Sequence, residues 1–348
     1  KGVAGELWAV HGGGFYNPQK YLVAPAELPA ELHWFKWEAY STWLSGFALL
    51  VIVYWLNAQA MMVDRSVADL SAWQAVGVGF GSLVAGWVVY DLLCRSPLGR
   101  HDLAFGVVVF ALLVGAAWGL THVLGGRAAY IHVGAMIGTI MVANVAMVII
   151  PGQRRMVEAM RTGLKPDPVY GIRGKQRSVH NNYFTLPVLF IMISNHFAMT
   201  YRHPHAWAVL AVIMAAGVFI RHFFNLRHKG RVEWIYPAVG VALLLGLAVA
   251  LAPPRPAAVA GVADFALVET IIRQRCVSCH ATHPTQPGFA SAPAGVMLDD
   301  ANGIVRNAPR IYQQAVQLKA MPLANMTNMT DAERAQLAAW FEAGAKTQ

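Results

Sequence analysis

The chain has 348 residues, enough for about two domains. Only 13% of them are charged and 56% are hydrophobic, with a mean hydropathy of +0.43, which excludes a disordered chain and argues against an ordinary soluble enzyme. The formal net charge of +9 is unevenly spread: residues 1–252 hold 19 basic and 11 acidic side chains, residues 253–348 hold 8 and 7. The excess lies between long apolar runs, where membrane orientation accounts for it, so it gives no case for nucleic-acid binding.

In chain order, Lys1–Lys36 reads as a polar cytoplasmic segment. Within it, His11-Gly12-Gly13-Gly14-Phe15 would let backbone N–H groups approach an anion, although it is neither a Walker nor a dinucleotide fingerprint. Seven apolar stretches then follow, each long enough or nearly so to cross about 30 Å of hydrocarbon as a helix. They are Trp37–Asn57, Trp73–Cys94, Leu103–Leu120, Tyr130–Ile150, Tyr183–Thr200, Ala206–Leu226 and Glu233–Ala252. Trp and Tyr punctuate many of the ends, as an interfacial belt would. Pro253-Pro254-Arg255-Pro256 stops the last span, and an Ala-rich linker runs to Ala263. The expected organisation is a helical bundle over 1–252, a linker over 253–263 and a small helical domain over 264–348.

The basic residues orient the bundle. The segments before span one and after spans two, four and six carry 15 Lys and Arg, against three (Arg65, Arg127 and Arg202) on the alternate side. By the positive-inside rule the first set is cytoplasmic and the C-terminal domain lies outside. Thioether attachment of haem by the usual bacterial machinery takes place on that same outer side.

Such attachment is what Cys276-Val277-Ser278-Cys279-His280 signals. Two thiols at this spacing reach the vinyl groups of a haem, and the following histidine reaches its iron. A redox CxxC would be expected near a βαβ pattern, and a zinc site would need two further ligands where only His283 is close. A helix from about Asp264 leads into the motif. Another starts at Thr330, boxed with Glu333, and ends near Gly344, with Leu337, Trp340 and Phe341 on its apolar face. The sixth iron ligand is expected from Met297, Met321, Met326 or Met329, and Met321 is favoured because it lies in a loop between the motif and the last helix. A His/Met haem passes single electrons and binds no oxygen, so the chemistry is expected elsewhere.

Ionisable residues inside spans are functional candidates because burying them in lipid is costly. They sort into an outer layer (His122, His132, Asn195, His196) and an inner layer (Glu38, Asp91, Asn144, His180, Arg221, His222). Arg221 has a plain alternative, pairing with Asp91 or snorkelling to the interface. His132 and His196 have similar depths and are candidates to hold a b-type haem. Lys175-Gln176-Arg177-Ser178-Val179-His180-Asn181-Asn182 opens span five, and the positive-inside bias explains its cations better than its His-Asn-Asn run. Cys94 reads as a small packed hydrophobe.

Taken in order, these motifs resemble the bacterial membrane-bound cytochrome c urate oxidases, or urate hydroxylases. The resemblance covers essentially the whole chain: HGGGFY at His11–Tyr16, WFKWE at Trp34–Glu38, TWLSGFALL at Thr42–Leu50, KQRSVHNNY at Lys175–Tyr183, SNHF at Ser194–Phe197, RHFFN at Arg221–Asn225, and the CVSCH site. It implies an all-α fold, a polytopic bundle followed by a small class I-like cytochrome c domain, with an eighth span expected upstream. It also implies a multi-pass protein of the bacterial inner membrane with the cytochrome c domain in the periplasm. The implied reaction is oxidation of urate to 5-hydroxyisourate with oxygen from water. Electrons would pass through one covalent haem c to a soluble cytochrome c or terminal oxidase. Two residue sets are compatible with urate: Arg221, His222, Asn225, His180, Asn181 and Asn182 on the inner side, and His132, Asn195, His196 and Trp118 outside. A neutral histidine is the expected base. Two electrons leave urate while one haem accepts one, which motivates a further centre such as haem b. A quinol-oxidising or purely electron-transferring membrane cytochrome c is the competing function.

Overall fold

The computed structural model describes residues 3–21, 23–252 and 264–347; the linker expected over 253–263 lies outside them. The chain is mostly helical, with one departure from the all-α expectation. Residues 3–21 form two antiparallel pairs from four short strands, β1 (Val3–Glu6), β2 (Ala9–His11), β3 (Gly14–Tyr16) and β4 (Gln19–Tyr21), with β1 beside β4 and β2 beside β3. The glycines of HGGGF make the hairpin tip. Gly12 and Gly13 have φ of +58° and +80°, the consecutive positive values a two-residue hairpin turn requires, and His11 pairs with Gly14 across it. The anion-cradle reading of this stretch is thus replaced by turn chemistry.

The helices that follow are α1 (Trp37–Leu50), α2 (Ala58–Met61), α3 (Ala72–Arg95), α4 (Asp102–Thr121), α5 (Gly126–Ala143), α6 (Ile150–Arg161), α7 (Pro168–Ile193), α8 (Ala198–Tyr201), α9 (Ala206–Arg227) and α10 (Ile235–Ala250). Local chemistry sets several boundaries. Ser71 and Gln74 form a capping box at the start of α3, and Asp167 caps α7 with Pro168 in its first turn. Four helices among the described residues are long and apolar enough to cross a membrane: α3, α4, α9 and the 36 residues Gly126–Arg161, in which α5 and α6 are continuous. The other expected spans differ in form. Span one is α1 running into a π-helical turn, Val51–Trp55; span seven, α10, has 16 residues.

Span five needs the largest correction. The Lys175–Asn182 stretch does not open a helix; it lies in the middle of α7, which begins at Pro168 and reaches Ile193. Helical spacing explains this, since Arg177, Phe184, Pro187 and Ile191 fall on one buried face.

Two hydrophobic cores result. The larger joins α3, α4, α5 and α9, with α5 deepest: Ala128, Tyr130, His132, Val133 and Ile137 are fully buried. Close approach of α3 depends on Gly79, where a Cβ would lie 2.5 Å from His132 Nε2. The smaller core unites α11 (Phe265–Arg275), α12 (Ala301–Arg306), α13 (Ala308–Ile311) and α14 (Asp331–Glu342) through Val268, Ile272, Ile304, Leu337 and Trp340. The Thr330–Glu333 capping box opens α14 as expected. This C-terminal unit rests against the end of the bundle near α2 and α8, where Arg202 donates to the Pro322 carbonyl at 3.2 Å.

Candidate functional site

Polar side chains gather at both ends of the bundle. At the end that the charge count assigns to the cytoplasm, Asp91 accepts from Arg177 at 2.7 Å and from Arg95 at 2.6 Å. Arg177 also donates to Asn144, whose amide donates to Tyr90 OH at 3.0 Å and to Asn181 at 2.8 Å. Tyr90 OH in turn lies 2.8 Å from His180 Nδ1, with Cys94 Sγ at 3.9 Å from the same nitrogen and Phe105 stacked on the imidazole at 4.5 Å. Cys94 is therefore half-buried beside a histidine, in polar company. Asp91, Asn144 and Arg177 are buried, so the pair is desolvated, and further hydrogen bonds from Arg95 and to Asn144 support it, as a buried ion pair needs.

Arg221 belongs to another group. Its Nε donates to Asn182 at 2.7 Å, and the alternative pairing with Asp91 does not form because Arg177 and Arg95 already hold that carboxylate. His222 pairs with Tyr183 OH at 2.6 Å and meets Tyr236 edge-on. The inner candidates are thus divided: His180 faces α3 and α4, while Arg221 and His222 lie along the seam of α7, α9 and α10.

At the opposite end, His132 is fully buried. Its Nδ1 donates to the Ala128 carbonyl at 2.8 Å, and its Nε2 accepts from Trp55 at 3.0 Å. Both ring nitrogens are occupied, which leaves no lone pair for an axial bond to iron. His196 is exposed in a short 3-10 turn and forms no hydrogen bond to His132. Asn195 instead exchanges hydrogen bonds with Tyr54 at 3.2–3.3 Å and accepts from Arg127 Nε at 3.0 Å. Tyr54 and Trp55 both come from the π turn after α1, whose extra residue per turn re-aims two aromatic side chains inward.

Above this layer, between the bundle and the C-terminal unit, is a cavity of about 490 Å³. Arg127, Arg202, Tyr201, His122, His203 and Asp64 line it from the bundle, and Ala320, Leu323 and Asn325 from the C-terminal unit. Arg127 and Arg202 are half-buried, and neither forms an ion pair among the described residues. Burial holds the Arg202 guanidinium below its usual value, with Tyr201 and Asp64 pulling it back up. The cavity was not anticipated from sequence, although a signal existed: Arg127 and Arg202 are two of the three basic residues that break the positive-inside pattern. A second cavity at the cytoplasmic-assigned end is lined by Lys36, Arg154, Arg155 and Arg161, but its three arginines are exposed.

In the C-terminal unit, Cys276 follows directly on α11, and the turn to His280 is closed by amides of Cys279 and His280 donating to the Cys276 carbonyl at 3.1 and 2.9 Å. His280 Nδ1 donates to the Val296 carbonyl at 3.0 Å, which fixes the tautomer and keeps Nε2 as a free lone pair. Burial pushes the Cys276 thiol up to about 12 and raises Cys279 as well. Met321 is half-buried against the same core as Cys276; its N–H donates to Gln314 at 3.0 Å and its carbonyl accepts from Arg334 at 2.8 Å. Met329 is buried in that core, and Met297 is exposed with its sulfur near Thr282. These residues fit a covalent haem: two half-buried thiols, a histidine presenting one unshared nitrogen, and a thioether on a pinned loop.

A family model described as urate oxidase N-terminal matches residues 1–252. Comparison with curated proteins and comparison with solved structures gave no match.

Proposed function

The chain belongs to the urate oxidase N-terminal family, and on that premise we propose that it is a membrane-bound oxidoreductase that oxidises urate to 5-hydroxyisourate. Residues 1–252 form the bundle that sits in the bilayer of a bacterial inner membrane, and residues 264–348 form a cytochrome c domain on its periplasmic side. A haem c bound through Cys276 and Cys279, with His280 and Met321 as axial ligands, supplies a one-electron acceptor. A soluble cytochrome c or terminal oxidase is the onward acceptor.

The observation that carries this reading is the docking of the Met321–Pro322 loop on the outer end of the bundle through Arg202. It sets the C-terminal unit against the family-matched domain, within one chain, and this supports direct electron transfer between them. The net change balances as urate plus water giving 5-hydroxyisourate, two protons and two electrons, with one C–O bond formed at the purine C5. Protein groups have to bind a planar anion, orient a water and accept protons; Asp64, His122 and His203 are acceptors at the outer end. The inner network of Asp91, Arg177, Asn144, Tyr90 and His180 is closed on itself and acts as a structural pin between α3, α5 and α7.

Turnover in ¹⁸O-labelled water, with a one-electron acceptor and no oxygen, tests this reading. The expected 5-hydroxyisourate carries one ¹⁸O. Unlabelled product, or none without oxygen, would contradict it. Reduction by a quinol and not by urate would favour the quinol-oxidising alternative.

A further inference from the structure

The outer cavity has the properties of a site for a small organic anion. Its volume of about 490 Å³ falls in the range of small-molecule sites, roughly 300–1,000 Å³. It contains two half-buried guanidinium groups and one carboxylate, so its side chains are short of negative charge by one unit when the histidines are neutral. Arg127 is held through Nε by Asn195, and Arg202 through Nη2 by the Pro322 carbonyl. Each keeps further N–H groups without an acceptor among the described residues, in a fork geometry that suits the paired acceptors of a planar ligand. Tyr201 adds an aromatic wall. The N-terminus of α5, at Gly126 and Arg127, adds its positive end.

We propose that the cavity between Arg127 and Arg202 binds the substrate as a planar purine-type monoanion. This rests on the urate reading given above, and it deepens it by choosing one end of the bundle. The charge is matched one to one. Ala320 and Leu323 flank the Met321–Pro322 loop on the cavity wall, so a ligand there lies beside the electron-accepting unit and needs no relay across the bundle. The inner seam around Arg221 lies at the opposite end. The cationic cleft at Arg154 and Arg161 has open, exposed arginines of the kind that face lipid headgroups.

The test is calorimetric titration of urate into the full-length, haem-loaded protein held reduced and anaerobic, so that binding is read without turnover. Arg127→Gln and Arg202→Gln each remove one cation. Val67→Trp fills the cavity from an exposed position at its rim, where folding is not at stake. All three are expected to raise Kd about tenfold or more, with the dithionite-reduced haem spectrum retained as the check on folding. Wild-type affinity in all three variants, or loss of binding in Arg221→Gln alone, would overturn the assignment. The two readings fail separately. Arginine-dependent binding in a protein whose haem urate never reduces keeps the site and removes the oxidase reading. Haem reduction by urate with unaltered binding in the three variants removes the site and keeps the oxidase. No binding to the wild type removes both.

Discussion

Asp91 and Arg177 are separated by 86 residues and meet at 2.7 Å, both buried, with Arg95 as a second donor to the same carboxylate. Removing one member leaves the other charge desolvated and without its counter-ion, an imbalance that costs about 3–5 kcal/mol. Asp91→Asn is therefore expected to lower the thermal midpoint of the solubilised protein, and Asp91→Asn with Arg177→Met to recover part of that loss. An unchanged midpoint in the single variant would mean that water reaches the pair. Ionisability inside an apolar run was enough to single out Asp91, His180, Arg221 and His222 from sequence. Asn182, the partner of Arg221, stands in a polar run that the sequence singles out, whereas the partners of Asp91, His180 and His222 are not legible. Arg177 was absorbed into the positive-inside count, and Tyr90, Tyr54 and Trp55 look like ordinary interfacial or core aromatics until tertiary contacts give them hydrogen bonds. Arg127 and Arg202 were visible only as exceptions to a charge rule.

At the scale of elements, caps and punctuation are legible in the sequence: Asp264 caps α11, Thr330 opens α14, and positive-φ Gly344 follows its end. Two features escaped. The N-terminal hairpins are short, and their strands show too little alternation to stand out from a polar segment. The polar start of α7 hides a helix because hydropathy reports lipid exposure and is blind to helix that leaves the apolar layer. The π turns at Val51–Trp55 and Asn144–Ile149 have no composition signal, yet they aim Tyr54, Trp55 and Asn144 into the two networks. A third, Tyr312–Gln317, lies shortly before the Met321 loop. That loop is pinned by Gln314 on one side and Arg334 on the other, and Arg334 also reaches the carbonyl of Ala315. Its backbone is thus fixed independently of the Met321 side chain. Met321→Ala is expected to keep covalent haem, lose the Met-ligated spectrum and lower the potential. An unchanged spectrum would assign the sixth ligand to another residue.

Across the whole molecule, the C-terminal unit meets the bundle at one end, and the cavity between them is lined by residues of both. That arrangement joins a family-matched bundle to a unit whose residues fit a haem, and the anion site proposed above lies between the two. No pattern in the sequence announces a cavity made by two units, since its walls come from the Asp64–Val67 turn, the start of α5, the α8–α9 connection and the Met321 loop. On the function proposed above, urate itself delivers electrons to the C-terminal unit. Anaerobic mixing of urate with the oxidised, purified full-length protein, followed through the visible haem bands, tests it most directly. Prompt reduction of haem c by urate is expected, and none by xanthine. A haem that stays oxidised with urate, in protein that dithionite reduces, would contradict it.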